Sequence, residues 1–522
     1  TTKKEKEAIK DTVGAYNGDV IFNTPGSGSN GNSSNTSSNY VGETTSGYML
    51  PADAVFILPD AVDGTDITND LVLALFEIAD NSIVVLPEGE FIVSETITIA
   101  SARGITLTGH GINSTKLDFT DSTGDDGIRF EGGTNITIRD FGVHETNKNG
   151  IKAVGVNGIH FAYTATVWDG LLADSQGAYG LYPLQSQNVL IENNYAYGSA
   201  DAGIYVGQSN NIVIRNNVAK YNVAGIEVEN SNNADVYNNT AIDNAAGILA
   251  FDLPGLAQGY GGNIRIFNNE IYANNTENTG SGAVSIAPPG TGVLITAVSD
   301  VEIYNNNITE NRTAAIEIAS YLIADDDLDN YPSNYGTTIA NGWSPLTKNI
   351  YMHDNFIARN GDSPGGILIQ DVINGYLSSY NSTGMPQVFP AILYGGIGEL
   401  LSNAGALIGF NAMVGPDAVA NGVNYNPYES ADLICANNNI NGNAAPEYDD
   451  VNTGLIYGTN PSDPFNWDPA TGGPQASLLI DNMVNNTFLN CVQDRLAPAS
   501  VTFNGKEYGC AGDDLFEAAC AL

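Results

Sequence analysis

Between Tyr179 and Asp252, the groups able to bind or transform a ligand recur at fixed offsets from a repeated glycine. Two positions after Gly180, Gly203, Gly225 and Gly247 stand Tyr182, Tyr205, Glu227 and Leu249, and five positions after them stand Gln185, Gln208, Asn230 and Asp252. Tyr179 and Glu229 flank the same columns. Aromatic rings offer apolar faces to sugar rings, and amides and carboxylates accept hydrogen bonds from hydroxyls, so the combination suits a carbohydrate groove. Stacked tyrosines also stabilise a sheet surface with no ligand at all. Asp201 stands two residues before Gly203, where the other repeats hold Ala178, Val223 and Ala245. It suits a general base or the capping of a chain corner.

Asp325, Asp326, Asp327 and Asp329 form the densest acidic cluster, and calcium, which takes several oxygen ligands, is the cofactor they imply. The stretch lacks the glycine and terminal glutamate of a recognised calcium loop, so a solvated acidic loop is the other reading. His110, His144, His160 and His353 are too dispersed to indicate a metal site. A β-elimination needs a Lys or Arg base beside calcium, and Arg215 and Lys220 lie near the tyrosine columns, though no matching acidic trio accompanies them.

These groups need a repeating scaffold. The glycines recur at intervals of 23, 22 and 22, each followed by Leu181, Ile204, Ile226 or Ile248, and Asn193–Asn194, Asn216–Asn217 and Asn238–Asn239 keep the same beat. It continues less regularly at Asn268–Asn269 and Asn305–Asn306. Ile204 and Val206, then Ile212 and Ile214, alternate as half-buried strands require. Three short strands joined by tight corners make one coil. Glycine and asparagine tolerate the left-handed corners, and stacked asparagines can hydrogen-bond up a column. The fold class expected is all-β: a right-handed single-stranded parallel β-helix, a solenoid with an N-terminal cap helix over residues 70–79.

The expected organisation is a flexible arm and Gly/Ser/Asn linker over residues 1–45, the β-helix over 46–365, and final coils with long loops and a C-terminal cap over 366–522. Residues 3–15 carry a lysine cluster and a possible helix, and residues 24–38 read as linker. Insertions after Ile248, Asn278 and Ser320 predict loops, often on the ligand-binding side of a solenoid. Cys435, Cys491, Cys510 and Cys520 predict local disulfides in an oxidising compartment, with three pairings open.

Eighteen Lys+Arg against 59 Asp+Glu give a net charge of −41, which repels nucleic acid and anionic lipid. No apolar run is long enough to span a bilayer, and the chain reads as a mature, exported product, secreted or on the cell surface.

The stretch from Asp169 to Asn217, with FDLPGL and TGVLIT downstream, resembles a family of exported bacterial parallel β-helix repeat proteins over roughly residues 70–365. The resemblance implies fold and export, and a c-type cytochrome-like protein as a partner by association; it implies no activity. More distantly, Tyr179-Gly180-Leu181-Tyr182-Pro183-Leu184 is similar to the motif of β-helix mannuronan C5-epimerases and alginate lyases. Tyr182 and Leu184 stand where that family has its acid and histidine, so the proton carriers of epimerisation are missing. GHG at Gly109–Gly111 and DDG at Asp125–Gly127 resemble polygalacturonase motifs in reversed order. Two functions follow as expectations: a structural surface component assembling with itself through the N-terminal arm into an oligomer or filament, or a polysaccharide-binding or polysaccharide-modifying protein using the tyrosine-lined face.

Overall fold

The computed structural model describes residues 39–325, 330–370, 372–374, 376, 388–395, 434–443, 451, 454–457, 467–468, 473–474, 491–514 and 517–521. The arm and linker over residues 1–38, and Asp326, Asp327 and Asp329, lie outside them. The described residues fall into two compact units: those within 39–222, 238–240 and 499–521, and those within 223–237 and 241–498.

In the first unit, strands Ile97–Ala100, Asp126–Glu131, Asn149–Val154, Tyr179–Leu184 and Ala202–Gly207 pair in parallel, each one coil from the next. Ile128, Ile151, Leu181 and Ile204 fall in register and are fully buried, forming an aliphatic column inside the coil. Each contributes about 2–3 kcal/mol through burial. Two further sheets close the coil. Strands Thr134–His144 and Asn157–Val167 each run through both, turning at Asp140 and Tyr163, whose φ values of 59° and 51° mark left-handed corners.

The second unit repeats the plan. Strands Ala224–Glu229, Ala246–Phe251, Thr291–Thr296, Ala314–Ala319, Ile392–Gly395 and Gly454–Tyr457 pair in parallel, and Ile226, Ile248, Val293, Ile316 and Ile392 form the interior column. The alternation expected of half-buried strands is hidden in both units, because strands Ala202–Gly207 and Ala224–Glu229 are buried at every position.

The asparagine pairs divide their work. The first member takes the left-handed corner, with φ between 51° and 57° at Asn193, Asn216, Asn238, Asn268 and Asn305. The second builds a buried ladder. In the first unit Asn194 N–H donates to Asn217 Oδ1 at 2.9 Å, and Asn217 N–H to Asn239 Oδ1 at 3.0 Å. In the second unit the ladder runs Asn269, Asn306, Asn355, Asn439 at 3.0–3.1 Å. A parallel ladder runs Asn244, Asn274, Asn311, Asn360. Side-chain amides of the ladders also reach backbone carbonyls, as Asn306 Nδ2 does at Ile266. Corner amides that have no strand partner are thereby satisfied inside the coil. Asn306→Ala removes the acceptor of two Asn269 donors. The expected cost is about 3–5 kcal/mol, against less than about 0.5 kcal/mol for Asn307→Ala on the exposed side of the same corner. Denaturant titration of both variants measures the difference.

A helix at Thr68–Leu75 lies against Ile97–Ala100, the end strand of its sheet, and buries Leu71 and Leu75. It starts where the Asp66 carboxylate accepts the Thr68 N–H at 2.9 Å and ends short of Ala79, the end expected from sequence.

Of the three cysteine pairings left open, the structure selects Cys435–Cys491 and Cys510–Cys520. Cys491 is tied to strand Ile434–Asn437 of the second unit. Residues 499–521 belong with the first unit, where their hairpin, Val501–Phe503 with Lys506–Tyr508, is bound by Asn188 and Asn135 side chains accepting from Thr502 N–H and Asn504 N–H.

Candidate ligand-binding face

In the first unit, three of the predicted residues converge. The rings of Tyr179, Tyr182 and Tyr205 are mutually packed, with centroids 4.4–4.9 Å apart. Tyr205 is 3% exposed, whereas Tyr179 and Tyr182 are half-buried. The Tyr205 ring lies along its own strand over Gly207, where any Cβ would collide with the ring. Glycine at that position therefore leaves room for the Tyr205 ring.

The register extends this column toward the N-terminus. Tyr182 pairs with Lys152, and Lys152 with Arg129. Arg129, Lys152, Tyr182 and Tyr205 thus occupy one lateral row of rungs, two cations followed by two rings, at about 4.8 Å per rung. Lys152 Nζ sits 5.0 Å from the Tyr182 ring centroid and makes no ion pair among the described residues. A cation over a tyrosine face is worth about 0.5–2 kcal/mol. Arg129 is partly neutralised by Glu131 at 2.8 Å and Asp126 at 3.6 Å. Both cations were missed in the sequence reading although the signal was there: Gly127-Ile128-Arg129 and Gly150-Ile151-Lys152 repeat the glycine–aliphatic–outward pattern. An insertion between Val167 and Tyr179 breaks the 22–23-residue beat and hides them.

Gln185 and Gln208 are corner residues, each with φ of 49°, and Gln185 N–H donates to the Gly207 carbonyl at 3.0 Å. Gln185 is exposed. Asp201 is half-buried at the corner before Ala202–Gly207, its N–H on the Ala178 carbonyl at 3.1 Å.

Arg215 and Lys220 are not on this face. They lie on Asn210–Arg215 and Val218–Lys220, strands of the other two sheets. Arg215 is 2.8 Å from Glu192 and 3.0 Å from both Asp514 and Glu517, a role in holding the C-terminal segment that replaces the one considered for it as a base. Glu192 also receives His160 at 2.8 Å. Burial opposes its ionisation, but the His160 hydrogen bond and charge and the Arg215 charge outweigh it and hold the carboxyl down at about 2.

The second unit holds Glu227, Glu229 and Asp252, and there the expected outward acids are buried. The insertion after Ile248 folds back over them. Leu253 N–H donates to Asn230 Oδ1 at 2.7 Å, Asn230 Nδ2 donates to the Leu253 and Gln258 carbonyls at 2.9 Å, and Gly261 N–H reaches both Asp252 oxygens at 2.9 Å. Trp343 Nε1 donates to the Asp252 carbonyl. Burial raises the Asp252 carboxyl to about 8, Gly261 opposing and the Glu229 charge adding to the rise. Glu317, three rungs from Glu227 in its column, is likewise raised to about 8 by burial, with only Thr291 Oγ1 opposing. Its signal in the sequence was Ala315-Ile316-Glu317 repeating Gly225-Ile226-Glu227.

Among the metal candidates, Asp325 accepts the Tyr335 hydroxyl at 2.5 Å. Among the described residues no group of three or more His, Cys, Asp or Glu is arranged to hold a metal ion, and no helix is long and apolar enough to cross a membrane.

Residues 81–253 match the family model described as "Right handed beta helix region". No curated protein matches the chain. Among solved structures, the chain is similar to the A-module of the Azotobacter vinelandii mannuronan C-5 epimerase AlgE6, at 17% identity and a TM-score of 0.36 over 58% of this chain and 88% of that one. It is similar to the periplasmic alginate epimerase AlgG, at 15% identity and a TM-score of 0.35 over 58% and 80%. It is also similar to polygalacturonase from Erwinia carotovora ssp. carotovora, at 10% identity and a TM-score of 0.41 over 60% and 94%. With its parallel three-sheet coils in both units and the family match over residues 81–253, the chain is a right-handed parallel β-helix.

Proposed function

We propose that this protein is an extracytoplasmic carbohydrate-binding β-helix that holds an acidic sugar chain along the row Arg129, Lys152 and Tyr182, with the buried Tyr205 packed behind the rings. One observation carries the reading: two cations in register with two packed tyrosines, in a chain with only 18 Lys+Arg against 59 Asp+Glu. The chain's overall charge repels polyanions at long range. Arg129 is held by Glu131 and Asp126, so Lys152 is the cation that would receive a carboxylated sugar, and its range under physiological salt is about 8 Å. The half-buried Tyr179 and Tyr182 supply ring faces and Gln185 an exposed amide. Paired cysteines at both disulfides support an oxidising compartment. Calcium at the Asp325 loop would be a separate, supporting ion.

The test is a glycan array of neutral and uronic-acid polymers followed by titration calorimetry of the best binder, for the protein and for Tyr182→Ala and Lys152→Ala. Tyr182→Ala is expected to weaken binding at least about tenfold. Lys152→Ala is expected to weaken it less and to flatten its dependence on salt. Binding to no glycan, or binding that neither substitution changes, would sink this reading and leave a structural surface component as the better one.

A further inference from the structure

The insertion after Asn278 and residues 366–370, both in the second unit, enclose a pocket of about 220 Å³. Its inner lining is Ile286, Pro288 and Pro289, all buried, and its rim carries Ile367 and Leu368, apolar groups 96% and 41% exposed. The two walls are tied together. Thr313 Oγ1 donates to the Pro289 carbonyl at 2.6 Å and accepts the Gly365 N–H at 3.1 Å. Asn278 holds the insertion closed, its Nδ2 donating to the Val284 and Ala287 carbonyls at 3.0 and 2.8 Å and its Oδ1 accepting the Gly280 N–H at 2.9 Å. Walls fixed in this way form the pocket before any ligand arrives, which lowers the cost of binding.

The chemistry of the lining narrows the ligand. Proline carries no N–H, the Ser285 hydroxyl donates to the Gly282 carbonyl at 2.6 Å, and the Gln370 amide donates to Asn374 Oδ1 at 3.0 Å. Polar side chains around the pocket are thus committed to the protein, and a ligand rich in hydroxyls would find few partners. Arg312 is the exception. Its Nη1 donates to the Ser363 carbonyl at 3.1 Å and its Nη2 to Glu277 Oε1 at 3.0 Å, so three of the five guanidinium N–H groups have no partner among the described residues. The Glu277 side chain is 80% exposed, and an exposed pair of this kind yields readily to a better-placed anion.

We infer that this pocket binds a small carboxylic acid with an apolar body. The carboxylate takes the Arg312 guanidinium in exchange for Glu277, and the hydrocarbon lies against Ile286, Pro288, Pro289 and Ile367. Size sets the limit, because pockets for drug-sized ligands run to about 300–1,000 Å³ and this one holds fewer atoms. The site shares no residue with the sugar-binding row of the first unit and stands independently of it.

The test is titration calorimetry of the full chain with sodium hexanoate, and with hexylamine and hexanol as probes that keep the tail and change the head. Hexanoate is expected to bind with a Kd of about 1 mM or tighter, and the other two at least about tenfold more weakly. Arg312→Gln is expected to weaken hexanoate at least about tenfold. Ile367→Asp, which trades apolar surface at the rim for a like charge, is expected to weaken it about fivefold. Glu277→Gln is expected to tighten it about two- to fivefold, because the competing carboxylate is gone. These last two variants change exposed side chains and keep the test decisive if Arg312→Gln disturbs the loops. No hexanoate binding below about 10 mM, hexylamine or hexanol binding as tightly as hexanoate, or a hexanoate affinity unmoved by Ile367→Asp and Glu277→Gln would each overturn the inference.

Discussion

Raising the pH from about 4.5 to above 8 is expected to destabilise the second unit by up to about 5 kcal/mol through Glu317 alone, with a further contribution from Asp252. Both carboxyls are raised to about 8 in the folded protein by burial. Between their unfolded values and about 8 the unfolded chain has released these protons while the folded chain retains them. Stability therefore falls as pH rises through this window and levels off above it. Glu317→Gln and Asp252→Asn are each expected to flatten the slope, because a neutral amide titrates in neither state. Denaturant midpoints at half-unit steps from pH 4.5 to 9 measure this, and an unchanged slope in both variants would contradict it. The first unit has the opposite sign. Glu192, held at about 2, contributes stability that is fully present above its unfolded value and is lost as pH falls from about 4.5 through about 2. The formal charge of −41 counts Asp252 and Glu317 as ionised, whereas near neutrality both are mostly protonated in the folded chain.

Breaking the buried pair Arg265–Asp235 is expected to cost about 3–5 kcal/mol by either single substitution, Arg265→Met or Asp235→Leu. The two side chains meet bidentately at 2.8 Å, on neighbouring rungs, with Asp235 fully buried and Arg265 nearly so. Arg265 is flanked by a stack of rings, Tyr237, Phe267, Tyr304 and His353, in which each ring lies within 12° of the next down the column. Glu302, the next rung, takes Arg495, His353 at 2.7 Å and the Leu496 N–H at 3.0 Å, so residues 491–498 are held on this charged row. Removing one charge of a buried pair strands the other; removing both leaves an apolar contact. The double variant Arg265→Met with Asp235→Leu is therefore expected to be far more stable than the sum of the singles implies, with a coupling of about 2–3 kcal/mol or more. Strict additivity would show that water reaches the pair and that burial is not what binds them.

The solenoid was legible because its determinants are periodic. Gly180, Gly203, Gly225 and Gly247, with the aliphatic residue after each, fall in the expected strands, and the asparagine pairs make the corners and ladders their chemistry suggests. The cap helix was legible from Leu71 and Leu75, which share a face one turn apart. Less of the candidate site was readable. Tyr182 and Tyr205 were found by their offset from the glycines, while Arg129 and Lys152 keep the same offset on coils that an insertion had put out of step.

Periodicity is therefore enough to specify the coil: residues one repeat apart must stack, because each interior aliphatic can be buried only against its counterpart on the next rung. Which outward groups meet solvent, and which charges meet each other, depends instead on how distant segments fold together. The insertion after Ile248 turned Asp252 from a surface acid into a buried one, residues 499–521 came to lie with the first unit and engage Arg215, and the cysteines chose their partners. Those outcomes depend on contacts between segments up to roughly three hundred residues apart, and such contacts leave no period in a chain for a reader to find.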